Sequence, residues 1–489
     1  MAWGFYGRRS ELSQLNAIFS RERWFFVKVT GRRRIGKTTL IQQALVAAGK
    51  STDRVFYVQI PDSGPAGVLS AVADALTTFS VAPSVASPPR SLADFARMIG
   101  TLARAGYVVA LDEFQYFQRD QLSDFPSLLQ SEVDGLSAAA EQVPGGLLVL
   151  GSIHTEINAL LENKSSPLFN RTTDELDLTH LDIGSILELL ADHTEPTPER
   201  LLFLWTLFEG VPKFYRDCFE QGVLGAGREE LLRRVFFESS SPLRTEADNW
   251  FLKELRGRYD VVLKFVARNE GCTNGDIMAH VRELSAETDQ QVAGYVKVLI
   301  ERYRLIEKKL PVFAKPKARS GRYYLQDNFL AAWLAALASN VSAITFSPTE
   351  RLVADASKRL EVVEGHAFEK LVAQLYVERS RKGIGDFPLS STVAGYWDAA
   401  DTELDLVLLA EPERRIRFGS CKRSGDRLEQ DAASFSGHVE RFLAAFPAYR
   451  GWTIEKVGCA PRISGECAAS LERAGIIPQD LTVLTTGLS

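Results

Sequence analysis

The stretch Gly31-Arg32-Arg33-Arg34-Ile35-Gly36-Lys37-Thr38-Thr39 sets two glycines five positions apart and follows them with a lysine and two hydroxyls. Those residue types at that spacing build a loop for phosphate. Glycines let backbone N–H groups converge on phosphate oxygens, and the helix that opens behind them adds positive potential. Lys37 is then placed to reach the β- and γ-phosphates, and the Thr38 hydroxyl to ligand Mg²⁺. A second pair, Asp112-Glu113, ends the apolar run Val108-Val109-Ala110-Leu111. Asp112 there would hold Mg²⁺ through water, and Glu113 would orient and deprotonate an attacking water, which argues for hydrolysis rather than transfer to another substrate. Ser152, after Gly151, could sense the γ-phosphate or could simply cap a helix. Arg171 lies in a loop before the last strand and is a candidate arginine finger, on its own γ-phosphate or a neighbouring subunit's.

Such residues work only if strands and helices bring them together. From Trp24 to about Leu181, short apolar runs alternate with helical lengths. The strand candidates are 24–29, 55–60, 107–111 and 147–150. Near-continuous β-branched and aromatic runs of this kind predict buried parallel strands with helices on both faces. The expected fold class is therefore α/β, with a parallel sheet over 1–181 followed by a helical lid over 182–257. In 258–348 the pattern changes to three short helices (259–266, 273–281, 290–302) and a basic hairpin (304–309, 321–325), the order of a winged helix-turn-helix, with 290–302 as the recognition-type helix. Gln326-Asp327-Asn328 reads as a turn or cap, and 329–338 as a buried helix. The remainder, 349–489, is α/β again, with a helix over 365–379 and strands over 404–409 and 416–421.

Lys297, Arg302, Arg304, Lys308, Lys309, Lys315, Lys317, Arg319 and Arg322 make 297–322 the most basic stretch of the chain. Phosphate contacts to DNA are one reading of it; a protein contact or internal lid is the other. The whole chain of 489 residues carries 57 Lys+Arg against 62 Asp+Glu, a formal charge of -5, so any grip on nucleic acid must be local. Five cysteines, none closer than eight residues to the next, form neither a disulfide framework nor a zinc knuckle and suit a reducing cytoplasm. The first residues lack the apolar core of a secretory leader, and the longest apolar run, Phe329 to Ala338, is about half the roughly 20 residues that span a bilayer. The expectation is a cytoplasmic protein of about three domains with no membrane segment.

Phe5-Tyr6-Gly7-Arg8-Arg9-Ser10-Glu11-Leu12, Leu111-Asp112-Glu113-Phe114-Gln115, Gly151-Ser152, Pro167-Leu168-Phe169-Asn170-Arg171 and Gly210-Val211-Pro212, taken with the phosphate loop, resemble the archaeal-type P-loop ATPases related to the AAA+ and STAND classes. The resemblance covers about the first 220 residues. It implies ATP and Mg²⁺ as cofactors, with Phe5, Tyr6, Gly7 and Arg8 against the adenine and Ser152 at the sensor position. Arg171 would be the finger-like arginine, and Pro212 would open a lid helix near the base. Asn170 stands where the family usually has glycine. A finger acting in trans would require a homo-oligomer.

The segment Tyr323 to Leu330 with Trp333 resembles the start of the region found fused to such ATPases. Gly365-His366-Ala367-Phe368-Glu369, Trp397-Asp398, Glu403-Leu404-Asp405-Leu406-Val407 and Gly419-Ser420-Cys421-Lys422 resemble PD-(D/E)XK nucleases. That resemblance implies that Glu369 and Asp405 bind Mg²⁺ and that Lys422 positions the nucleophile or stabilises charge. The third carboxylate of the pattern is replaced by Ser420, and Glu403, two residues before Asp405, would share its strand face and compensate in part. His366 and Cys421 lack the spacing of a zinc site. The function expected is an ATPase coupled to DNA binding or processing, in defence or mobile-element biology as the resemblance has it. The alternative is an ATP-dependent signalling switch whose C-terminal modules contact proteins.

Overall fold

The protein is described from a computed structural model covering residues 2–48, 54–152, 154–247, 257–284 and 287–488. Its chain folds into two compact units. One comprises Arg8–His180 with Val211–Lys213; the other takes Met1–Gly7, Leu181–Gly210 and Phe214–Ser489. The segments expected as lid, three-helix region and C-terminal domain thus pack together as one unit.

The first unit is built on five parallel strands, β1 (Phe25–Gly31), β2 (Val55–Gln59), β3 (Val108–Asp112), β4 (Gly146–Gly151) and β5 (Asp174–Leu178), in the order β2-β3-β4-β1-β5. The strands β1, β3 and β4 are buried at every position, whereas the edge strands β2 and β5 alternate. That contrast is what covering helices impose: interior strands are apolar on both faces, and edges keep one face wet. Because β4 lies between β1 and β3, its C-terminal residues fall between the loop after β1 and the carboxylates after β3. Trp24 and Tyr107, expected within strands, precede them.

In the second unit, the helices Ile183–His193 and Pro198–Phe208, the helix Pro212–Glu220 from Phe214 on, and the helix Arg228–Leu232 come first. Pro212 at the first turn of its helix costs no hydrogen bond there, since that N–H would be orphaned in any case. Next come the helices Arg258–Arg268, Asn274–Leu284 and Asp289–Glu301, which accompany a small antiparallel sheet of β6 (Cys272–Thr273), β7 (Ile306–Lys309) and β8 (Arg322–Leu325). Asp327 caps the helix that begins at Asn328 by accepting from the Leu330 N–H at 2.8 Å. That helix runs on past the expected 338 to Ser342, with a π-helical turn at Trp333–Leu337.

The helix expected over 365–379 begins at Thr349 and ends at Arg381, 33 residues in all. Its early turns bury Leu352, Val353, Ala356 and Leu360, at i, i+1, i+4 and i+8 along one face. A second five-stranded sheet completes the unit: β9 (Ala394–Trp397), β10 (Glu403–Ala410), β11 (Arg415–Cys421), β12 (Thr453–Ala460) and β13 (Ile477–Asp480), in the order β13-β12-β11-β10-β9. Its β9–β10–β11 part is antiparallel and its β11–β12–β13 part parallel.

The segment joining β7 to β8 is pinned to this sheet. Val312 N–H donates to Gly395 O at 2.9 Å, and Trp397 Nε1 donates to Ser320 O at 2.8 Å. Phe313 stacks on Tyr449 with 5.2 Å between ring centroids.

Candidate functional site

The loop after β1 can turn as it does because of its glycines. Gly31 has φ 150° and Gly36 φ 93°, and a Cβ on Gly31 would lie 2.7 Å from Leu178 O. Arg34 takes φ 67° between them. Lys37, 7% exposed, starts the helix Lys37–Ala47 and donates to Gly31 O at 2.9 Å and Arg32 O at 3.2 Å. Burial pulls its pKa below the usual lysine value, and nearby Asp112 and Glu113 only partly offset this. Arg8 ties the loop down: its guanidinium donates to Ile35 O at 3.3 Å and Thr179 O at 2.6 Å, and pairs with Glu11 at 3.0 Å. Pro212 flanks the same loop, 3.7 Å from where a Cβ on Gly36 would stand.

Thr38 Oγ1 donates to Asp112 Oδ2 at 3.1 Å, and Tyr57, on β2, donates to the same oxygen at 2.7 Å. Burial, then Asp112, raises the Tyr57 pKa, which keeps it a donor. Asp112 Oδ1 accepts the Glu113 N–H at 2.8 Å. Thr38 and Asp112 are hard oxygen donors side by side at the phosphate loop, and they fit a Mg²⁺ ion shared with phosphate oxygens and water. Glu113, at φ 55°, has its carboxylate held by Ser152 Oγ at 2.9 Å and by Gln115 Nε2. Ser152 therefore reaches the glutamate itself. Sequence reading gave no role to Tyr57 or Gln115: a tyrosine on an edge strand carries no motif, and Gln115 stood only as the last residue of the run Leu111 to Gln115.

Arg171 is engaged rather than free. It makes a two-pronged pair with Asp134 at 2.6 and 3.0 Å and donates to Phe169 O at 3.1 Å. Asn170 beside it has φ 58°, a left-handed conformation that asparagine tolerates and glycine adopts freely, so its replacement of glycine keeps the turn. Phe5, Tyr6 and Gly7 belong to the other unit, where Tyr6 donates to Asp192 at 3.1 Å and meets His193 Nε2 at 2.8 Å.

In that second unit, Asp405 on β10 accepts the Cys421 N–H at 2.7 Å and lies 3.5 Å from Lys422 Nζ. Asp431, on the helix Gly425–Ala445, stands 3.4 Å from the same ammonium and accepts from Ser420 Oγ at 2.9 Å. The carboxylate absent at Ser420 thus returns from a helix eleven residues later, a placement no strand spacing announces. Burial works against the charge on Lys422, but Asp405 and Asp431 outweigh it and hold the pKa up. Burial and then Asp405 raise Glu369 well above the usual carboxylate range. Among the described residues, no three His, Cys, Asp or Glu side chains come together to hold a metal ion. The nuclease resemblance implies two ligands, Glu369 and Asp405, and no third acidic, His or Cys side chain gathers with them among the described residues.

Glu369, Glu403 and Asp405 line a cavity of about 430 Å³ together with Glu307, Lys309, Arg322 and Tyr324 of β7 and β8. A second groove, about 590 Å³, runs between the helix Asp289–Glu301 and the β7–β8 segment, lined by Lys297, Lys308, Lys317 and Arg319. Of the basic stretch, Arg322 pairs with Glu403 at 2.6 Å, Lys309 with Glu307 at 3.7 Å and Lys297 with Glu301 at 3.8 Å.

Residues 5–213 match a family described as an ATPase domain predominantly from Archaea, and residues 333–434 match a family of archaeal and bacterial proteins of unknown function. The match takes in the five-stranded parallel sheet of the first unit. Across the chain, an uncharacterised protein of Methanocaldococcus jannaschii is 24% identical over 424 residues, 86% of this chain and 87% of its own. Among solved structures, a Walker-type ATPase of Pyrococcus abyssi shares the fold with a TM-score of 0.52 at 16% identity, covering 68% of this chain and 96% of that one. The ORC2 protein of Aeropyrum pernix, solved in ADPNP and ADP complexes, aligns at a TM-score of 0.44 and 16% identity, over 73% of this chain and 94% of its own. Among the described residues no helix is long and apolar enough to cross a membrane.

Proposed function

We propose that the protein binds and hydrolyses ATP with Mg²⁺ and that its second unit engages DNA. The observation that carries the first part is Lys37. A buried ammonium met only by two neutral carbonyls is a cation awaiting an anion, and polyphosphate would displace those carbonyls at little cost. In this reading the loop N–H groups and Lys37 hold the β- and γ-phosphates, while Thr38 and Asp112 hold the metal, with Tyr57 fixing the Asp112 oxygen. Mg²⁺ supplies neutralisation of charge on the transferring phosphoryl group. Glu113 takes the proton of the attacking water once Ser152 and Gln115 release its carboxylate. The test is phosphate release from ATP with and without Mg²⁺; turnover that survives Glu113→Gln would overturn the assignment.

The DNA part rests on the winged-helix order of 258–325 and on the groove with Lys297, Lys308, Lys317 and Arg319, where counter-charge is supplied only by Glu301. Duplex DNA should stimulate ATP turnover in a salt-sensitive way, and no response at any salt would remove this part. Assembly into a homo-oligomer belongs to the same reading: Arg171, released from Asp134, would complete a neighbour's site. Arg171→Ala should then lower turnover on the order of 10³-fold while leaving ATP binding intact. A cytoplasmic setting agrees with five free, buried cysteines.

One observation favours a slow switch instead. Glu113 has one carboxylate oxygen, Oε2, tied by two hydrogen bonds, so a chain that rests in this state would bind ATP and hydrolyse it rarely. Gln115→Ala should then raise basal turnover; a fall would leave the steady hydrolase as the better description.

A further inference from the structure

The basic segment between β7 and β8 is fastened to the C-terminal sheet at both ends, and the cations between those ends carry no ion pair. All of its anchors lie within the second unit. At the first end, Val312 N–H donates to Gly395 O at 2.9 Å. Gly395 belongs to β9, the edge of its sheet, and an edge strand leaves backbone groups open to whatever chain lies beside it. Phe313 follows at φ 64°, a left-handed conformation that is strained for a bulky residue. Its ring stacks on Tyr449 and meets Phe446 edge to face with 5.3 Å between centroids, contacts that offset the strain. At the other end, Trp397 Nε1 donates to Ser320 O at 2.8 Å, and Arg322 pairs with Glu403 at 2.6 Å. The chain between belongs to no strand or helix and is shaped by turns, with Ala314 N–H donating to Pro311 O at 3.0 Å and Ala318 N–H to Lys315 O at 2.8 Å.

We infer that the C-terminal sheet acts as a brace, holding residues 310–321 in one conformation so that Lys315, Lys317 and Arg319 meet the phosphates of duplex DNA already ordered. The inference deepens the DNA-binding reading and rests on it. Charge is what separates a brace from a latch that shuts DNA out. Lys315, Lys317 and Arg319 are exposed and have no ion-pair partner among the described residues. A latch would set carboxylates on these cations. The anchors instead take the backbone of Val312 and Ser320 and the ring of Phe313, and Glu403 pairs with Arg322, beyond the three. Lys317 and Arg319 accordingly remain available along the groove beside the helix Asp289–Glu301. Holding such a segment beforehand matters, because each backbone residue that must be ordered on binding lowers affinity roughly 5- to 30-fold. Preorganisation removes that loss without adding a contact to the DNA.

The experiment uses the full chain and reads two quantities: amide hydrogen exchange over 310–321, and fluorescence anisotropy of a labelled blunt duplex across a salt series. Phe313→Asn removes the ring with a residue that tolerates the left-handed turn. Trp397→Phe keeps a ring and removes the donor to Ser320 O. Phe313→Asn should speed exchange in the segment and weaken duplex binding roughly 5- to 30-fold, the cost of ordering about one residue. The salt slope should stay that of the parent, since every cation remains. Trp397→Phe should act in the same direction and more weakly. Lys317→Gln is the contrast: exchange should be unchanged and the slope reduced by about one. Faster exchange with unchanged duplex affinity overturns the brace, and faster exchange with tighter binding overturns it in favour of a latch; both leave the DNA reading in place. Unchanged exchange in Phe313→Asn and Trp397→Phe alike also overturns it, because these contacts would then not hold the segment. A parent chain that binds no duplex at any salt removes the DNA reading itself, and the brace with it.

Discussion

Lys37 and Lys422 each stand among carboxylates near the end of a sheet strand, and their charges are answered in opposite ways. Lys37 is almost wholly buried, donates only to the carbonyls of Gly31 and Arg32, and has its pKa pulled down by burial. Lys422 keeps 31% of its side chain exposed, lies within 3.5 Å of both Asp405 and Asp431, and has its pKa held up by them. The first arrangement stores an electrostatic demand that a phosphate fulfils. The second is already neutralised by the protein's own acids. A lysine beside an aspartate therefore means different things in the two units, and it is the partner set that separates an expectant site from a satisfied one.

The largest break in that comparison is Lys37→Ala. Removing the one ammonium aimed at the phosphates should abolish ATP binding as read by a fluorescent nucleotide, and turnover should fall to background. Glu113→Gln should leave that binding in place and lower turnover about 10²- to 10⁴-fold, the worth of a general base. If Lys37→Ala hydrolysed ATP at the parent rate, the contrast between the two lysines would be empty. The matching change in the second unit is Lys422→Met. It should leave ATP turnover unaltered and cost stability, because Asp405 and Asp431 would then face each other unanswered. Breaking a fully buried pair costs about 3–5 kcal/mol; partial exposure brings the expectation to about 1–3 kcal/mol in urea unfolding.

A smaller effect tests whether the cavity wall is neutralised by protonation as well as by pairing. Glu270 lines the 430 Å³ cavity, and burial pushes its pKa up to about 7 from 4.5. Below pH 4.5 the group is protonated whether the chain is folded or not. Between there and about 7 the folded chain keeps the proton and the unfolded chain has lost it. Glu270 therefore favours folding at low pH, and that contribution is lost as pH rises through about 7. Glu270→Gln should flatten the melting temperature across this window, by the equivalent of about 1–2 kcal/mol. An unchanged pH profile would place the group in solvent.

The phosphate loop and Asp112-Glu113 were legible in the sequence because each motif is contiguous and follows a strand whose burial is written in β-branched and aromatic runs. The β7–β8 hairpin and the three helices before it were placed within a few residues, whereas the two-residue strand β6 was not foreseen. What escaped is single residues meeting across long sequence separations. Tyr57 reaches Asp112 from an edge strand, Asp134 answers Arg171 from a helix, and Asp431 answers Ser420 and Lys422 from beyond the strand where a carboxylate was expected. The docking of the β7–β8 segment against β9 also lay outside any local pattern, since its hydrogen bonds use the backbone of Val312 and Ser320. The start of the helix Thr349–Arg381 was passed over, although Leu352, Val353, Ala356 and Leu360 already keep helical spacing.

Tyr57→Phe tests the finest part of the comparison, which is how the expectant site is kept ready. Asp112 Oδ2 accepts from both Tyr57 and Thr38, at 2.7 and 3.1 Å, and the oxygen must point toward the metal position if Thr38 and Asp112 are to share an ion. Phenylalanine keeps the ring and removes one of the two bonds. A hydrogen bond of this kind contributes about 0.5–1.5 kcal/mol net, so turnover should fall roughly 3- to 10-fold. If Tyr57 acts only through Asp112, the loss should appear as a higher Mg²⁺ requirement, and saturating Mg²⁺ should restore most of the rate. A fall that Mg²⁺ does not rescue would mean that the hydroxyl acts on the nucleotide directly. Tyr57 would then belong with the groups that bind ATP, and Thr38 alone would be left to orient Asp112.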